Sequence, residues 1–154
     1  GAHFNPFVSL AMFLRKKITG KLLIIYIPAQ ILGCLLGVML ANVFFEHNIL
    51  ELSTKNRDGF HIFLSEIIAT FGLIFIIFAT LKDGKITIAA SVATYIMAGY
   101  WFTSSTSFAN PAVAIARTFT DSFTGINYMN TPTYILAEFL GALIAVFLIK
   151  KLIK

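Results

Sequence analysis

Two short stretches carry residue types able to do chemistry in an apolar setting: "HFNPF" at His3 to Phe7 and "FANPA" at Phe108 to Ala112, with asparagines 105 positions apart. Asparagine is among the best helix N-caps, and proline is favoured at the first helical position, so each Asn-Pro pair reads as a helix start. The amide carbonyl can accept from the first free N–H groups of its own helix, which leaves the NH2 facing outward as a donor. A helix N-terminus adds roughly half a unit of positive charge. Two such termini brought together would repel a cation or a proton, yet would offer a neutral solute hydrogen bonds in place of those it loses to water. A single Asn-Pro pair is an ordinary turn or cap signal. Two at equivalent places in a repeat point to one shared site.

Other chemistry is thinly represented. No nucleophile, base and orienting group can be assembled, so catalysis is not expected. The lone Cys34 permits no intrachain disulfide, no Cys/His spacing suggests a metal, and no cofactor is expected. Glu66 and Glu138 fall inside apolar runs, where an ionised carboxylate costs about 2.5–3.5 kcal/mol on insertion scales and needs a partner. For Glu66 a proton-relay role is the alternative to a structural one.

The elements that must position these residues are those of a membrane protein. Of the 154 residues 58% are hydrophobic and 12% charged, and the mean hydropathy is +0.84, far from globular norms. Four apolar runs, about Leu22 to Phe45, Ile62 to Leu81, Ile86 to Phe102 and Tyr134 to Ile149, approach the roughly 20 helical residues a bilayer crossing needs. Two shorter pieces, Pro6 to Leu14 and Pro111 to Phe123, each follow an Asn-Pro pair and read as re-entrant half-helices. The twelve basic residues give a net charge of +5. They cluster at Arg15 to Lys21, at Lys82 and Lys85, and at Lys150, Lys151 and Lys154, with Lys55 and Arg57 opposite. Across four spans those clusters share one side, which the positive-inside rule makes cytoplasmic together with the C-terminus. The charge thus reads as topology in a plasma membrane, with the lipid bilayer as partner and no nucleic acid.

A span follows each half-helix, but two spans precede only the second Asn-Pro box. A unit of span, span, half-helix, span is complete from about residue 60 to 154, whereas residues 1 to 45 supply the end of a first unit lacking its opening pair. Three spans per unit would invert one copy relative to the other, as in transporters and channels. The whole is read as one channel domain, all-α, of four transmembrane helices plus two half-helices, incomplete at its N-terminus.

The sequence resembles the aquaporin, or major intrinsic protein, family. "GAHFNP" at Gly1 to Pro6 is similar to the family's first box, and "ANPAVAIAR" at Ala109 to Arg117 to its second. "YIPAQILGCLLG" at Tyr26 to Gly37 resembles the third family span, with Gln30 on its packing face, and "SEIIAT" at Ser65 to Thr70 resembles the fourth, with Glu66 supporting the second box. The resemblance implies six spans with two half-helices, of which two spans are missing here, a homotetramer with one pore per subunit, and passive conduction. It places Asn5, Pro6, Phe7, Asn110, Pro111 and Ala112 at the centre of the pore. His3 is placed in the inner vestibule, as a gate or as a packing residue.

Departures from the family pattern bear on selectivity. The outer arginine of the family corresponds to Val113, and the other filter positions to Ala98 and Ser107; Phe7 replaces the alanine of the first box. Arg117, one turn beyond Val113, either reaches back toward the constriction or extends to the outer surface, and the pull of water on a long basic side chain favours the second. A filter of Ala98, Ser107 and Val113 is wide and weakly polar. It favours small neutral solutes such as glycerol-like or metalloid (arsenite-type) molecules over water alone. Two other classes stay open, a nonconducting fragment that assembles with full-length relatives and an ion-coupled transporter. Close helix contacts are expected at Gly33, Gly37, Gly72, Gly99 and Gly141, the first two having G-x-x-x-G spacing.

Overall fold

A computed structural model describes residues 1–152; Lys154 of the third basic cluster lies outside them. The described chain is all helix, with no strand among these residues: α1 (Pro6–Leu14), α2 (Gly20–Phe44), α3 (Phe60–Ala79), α4 (Lys85–Phe102), α5 (Pro111–Ala116), a 3-10 turn at Arg117–Phe119, and α6 (Thr131–Leu152). Three of them, α2, α3 and α6, are long and apolar enough to cross a membrane. The 18-residue α4 occupies the predicted run but is less apolar, because Lys85, Thr87, Ser91, Thr94 and Tyr95 dilute it.

Both half-helices begin as expected. Asn5 and Asn110 take extended backbone angles and accept from N–H groups of the first turn, with proline next in line. The second is shorter than the predicted Pro111 to Phe123, since α5 ends at Ala116. Three successive carbonyls of the 3-10 turn accept from outside the helix: that of Arg117 from the Ile126 N–H, that of Thr118 from the Ser53 N–H, and that of Phe119 from the Asn42 side chain. The N–H groups that a continuing helix would bring to these carbonyls go elsewhere, that of Asp121 to Glu51 and that of Ser122 to Thr120 Oγ1, and the chain turns at Thr120.

The tightest packing joins α3 to α6. Lipid tails are as apolar as leucine, so helices in a membrane associate through close packing rather than through a hydrophobic driving force. Small residues make this contact: Ala69, Ala142 and Ala145 are fully buried beside Leu73, Ile74, Ile77 and Ile149. A Cβ at Gly141 would collide with the carbonyl of Ile67. Val8, Ala11 and Met12 of α1 join the same cluster. Gly72 and Gly99 likewise sit in close contacts, with the Tyr95 ring and with Ser107 respectively. Gly33 and Gly37 do not: a Cβ at either would meet nothing within 4 Å. The G-x-x-x-G face of α2 is open within this chain, and spacing alone did not make it a contact.

Candidate pore site

The half-helices meet at their N-termini, and their caps are crossed. The Asn5 Nδ2 donates to the carbonyl of Ala109 at 2.6 Å, and the Asn110 Nδ2 donates to the carbonyl of Phe4 at 2.8 Å. Meanwhile Asn5 Oδ1 accepts from the N–H groups of Phe7 and Val8 at 2.9 and 3.4 Å, and Asn110 Oδ1 accepts from that of Ala112 at 3.1 Å. An NH2 has two hydrogens, so each amide spends one on the opposite box and keeps one. The expectation of a wholly outward NH2 is thereby halved. The residue before each asparagine makes the crossing possible. Phe4 and Ala109 have φ of 52° and 47°, a left-handed conformation that costs an L-residue about 1–2 kcal/mol, and this turns each carbonyl toward the other box.

The lead-in to the second box hangs on two buried acids. Glu66 accepts from the N–H of Phe108 through Oε1 at 2.9 Å and from that of Ala109 through Oε2 at 2.8 Å. Glu138 Oε1 takes the N–H of Asn110 at 2.9 Å. Three consecutive backbone donors, each costly to leave without a partner in apolar surroundings, thus find acceptors on α3 and α6. The lead-in to the first box is held differently. Ser9 Oγ lies 3.0 Å from His3 Nδ1 and accepts from Gln30 Nε2 at 2.9 Å, and His3 stands edge-on to Tyr26 with ring centroids 5.2 Å apart. His3 is thus tied to Ser9 of α1 and to Tyr26 of α2.

The expected filter positions differ in exposure. Ser107 is buried against Gly99, whereas its neighbour on α4, Ala98, is exposed. Val113 faces a cavity of about 580 Å³ between α2, α5 and the outer loops, together with Arg117. The Arg117 guanidinium lies 4.2 Å from the centroid of the Phe108 ring. The expected extension to the outer surface is not what this chain does: the planar cation finds an aromatic face two residues before Asn110 and folds back onto it. Phe7 turns toward Phe139, with ring centroids 5.8 Å apart. Pro6, Pro111 and Ala112 are buried at the helix starts.

A polar strap, residues 46 to 59, crosses the outer end. Asp121 accepts from the Thr54 N–H at 2.8 Å and from the Ser53 and Thr54 hydroxyls. These bonds, led by the Thr54 N–H, hold its carboxyl below the usual range. Arg57 donates to the carbonyls of Gly125 and Phe123 at 2.9 and 2.6 Å. Sequence reasoning missed Ser9, Asn42 and the bonds made by this strap, which it marked only as a polar connection of mixed charge. Asn42 did leave a signal, as a buried amide near the end of an apolar span.

Crossed caps between two half-helices, fed by lead-ins with matching left-handed residues, repeat one local design twice in a single chain. Residues 1–147 match the family described as Major intrinsic protein. The chain belongs to the major intrinsic protein family. It is 44% identical over 154 residues to Aquaglyceroporin AqpS of Rhizobium meliloti (strain 1021), an alignment covering 100% of this chain and 66% of that protein. It is 29% identical to Aquaporin-4 of Rattus norvegicus, covering 94% of this chain and 47% of that one. With Probable aquaporin TIP3-2 of Arabidopsis thaliana it shares 28% identity, covering 99% and 59%. The chain thus spans between about half and two thirds of the length of these relatives. As a major intrinsic protein with several long apolar helices, it is a multi-pass membrane protein.

Proposed function

We propose that this major intrinsic protein forms, or forms part of, a passive channel for water and small uncharged solutes. The observation that carries the reading is the pair of crossed caps, which leaves one N–H on each of Asn5 and Asn110 for a passing solute beside two positive helix ends. A hydroxyl or carbonyl oxygen can accept there, while a cation meets two like-signed termini. The finer reading is a filter of Ala98, Ser107 and Val113, wide enough for glycerol-like or arsenite-type solutes; AqpS, the 44% identical relative, is named an aquaglyceroporin. A homotetramer in the plasma membrane, with the basic inner clusters and the C-terminus cytoplasmic, completes the proposal.

The chain in proteoliposomes, placed in an inward gradient of glycerol without any ion gradient, is expected to take up solute and swell faster than protein-free vesicles. Rates equal to bare lipid would sink the channel reading for this chain by itself. The open Gly33 and Gly37 face of α2 favours a second reading, in which the chain conducts only when further helices cover that face. Swelling restored by co-reconstitution with a full-length relative would single it out. Flux that depends on a proton or sodium gradient would instead mark an ion-coupled transporter.

A further inference from the structure

The cavity outside α5 has an electrostatic character that conduction of neutral solutes does not require. It is lined by Val113 and Arg117 of the second half-helix region, by one face of α2, and by the loop carrying Thr120, Ser122 and Thr124. No Asp or Glu is among its lining residues. Arg117 makes no ion pair with an acid among the described residues; its neighbours are the Phe108 ring at 4.2 Å and the Tyr100 hydroxyl. A π face and a hydroxyl leave most of the five guanidinium N–H donors without an acceptor.

Several other charged groups near this mouth are already engaged. His47 also lines the cavity and is bonded to Glu51 at 2.8 Å. Asp121 is turned toward Ser53 and Thr54, and Arg57 is spent on backbone carbonyls. At the rim, the Thr120 hydroxyl donates to Ser122 Oγ at 3.0 Å, and Ser122 Oγ lies 3.2 Å from Thr124 Oγ1. Arg117 is held in position: its own carbonyl and the next two accept from Ile126, Ser53 and Asn42. A fixed guanidinium with spare donors, in an acid-free cavity rimmed by hydroxyls, matches the needs of an oxyanion.

We propose that this outer cavity is a binding site for small oxyanions, with Arg117 as the anchoring cation and the one hydroxyl hydrogen left free by the Thr120–Ser122–Thr124 chain of bonds as an auxiliary donor. The proposal rests on the channel reading only for the face from which the solute arrives; binding does not require that the chain conduct. Val113 gives the site its width, since a side chain with no donor leaves the guanidinium one turn farther out as the first strong group an entering oxygen meets.

The test is calorimetric titration of the chain in nanodiscs with inorganic phosphate at low ionic strength. The expected result is saturable binding that weakens by about ten- to hundredfold in Arg117→Gln, the loss of one or two charge-assisted hydrogen bonds, and is unchanged in Lys85→Gln at the far end of α4. Because Arg117→Gln also removes a packed cation, a Thr120→Val/Ser122→Ala variant is measured beside it; this pair leaves the Phe108 stack intact and is expected to weaken binding a few-fold. No saturable binding, equal binding in Arg117→Gln, or equal loss in Lys85→Gln would each overturn the site. Swelling rates measured on the same nanodisc-tested protein separate the two readings, since bound phosphate without glycerol flux sinks the channel and flux without bound phosphate sinks the site.

Discussion

The two Asn-Pro boxes are made alike and supported differently. Each has an asparagine cap, a proline at the first helical position, a left-handed residue before the cap and one amide hydrogen given to its counterpart. The second box hangs from two buried carboxyl groups that collect three backbone donors, on helices packed so closely that Gly141 has no room for a Cβ. The first is steadied by a serine shared between His3 and Gln30, beside a helix whose glycine face is open. Local geometry is copied because it is dictated by a few adjacent residues. Support depends on what packs around each box, and that differs between the halves.

The largest break in this comparison is expected from Glu66→Leu. It strands two buried N–H groups, each costing about 1–3 kcal/mol, so the detergent-solubilised protein should melt well below the wild type. Gln30→Leu, the counterpart change on the first side, removes one neutral bond and should shift the midpoint much less. Equal shifts would mean the two lead-ins are held equally. Gly141→Val should come next, because the carbonyl of Ile67 stands where the side chain must go and overpacking costs about 1–3 kcal/mol; Gly37→Val, measured the same way, should change little.

Asn5→Ala and Asn110→Ala sharpen the likeness rather than the difference. Each removes a cap worth about 1 kcal/mol and one of the two crossed bonds, so the two midpoints should fall by similar amounts, and because the two bonds belong to one contact network the double variant should depart from the simple sum. The smallest effect expected is at the outer strap. Asp121 has a lowered pKa in the folded chain, so its contribution is present above the ordinary aspartate range and is lost as pH falls through the depressed folded value. Protection of the Thr54 N–H, taken relative to the intrinsic exchange rate at each pH, should therefore persist at neutral pH and be lost below the ordinary aspartate range, whereas Asp121→Asn should lower it throughout. Slow exchange in that variant at neutral pH would show that the strap holds without the carboxylate.

Much of this arrangement was legible in the sequence. The start of both half-helices follows from Asn-Pro alone, because cap and first-turn preferences are properties of neighbouring residues. That Glu66 needs a partner follows from the cost of a bare carboxylate in a membrane, and the family resemblance implied that it would support the second box. What could not be read depends on distant partners. The departure from helical geometry at Thr120 goes with bonds to Asn42, Ser53 and Ile126, and the turn of Arg117 inward depends on Phe108 standing beneath it. Gly33 and Gly37 illustrate the converse, since a contact motif in the sequence meets no neighbour within this chain.

The crossed caps also set a timetable. Asn5 and its acceptor are separated by 104 positions, and a ribosome adds about 5–20 residues per second. For roughly 5 to 20 seconds after the first half-helix is made, its amide has no second box to bind and its lead-in carbonyl has no donor. The first box must wait, half finished, until the last third of the chain arrives. A cysteine pair placed at positions 5 and 109 should accordingly crosslink only in nascent chains long enough to have delivered the second box, and crosslinking in shorter ones would show that the halves are not joined in this order.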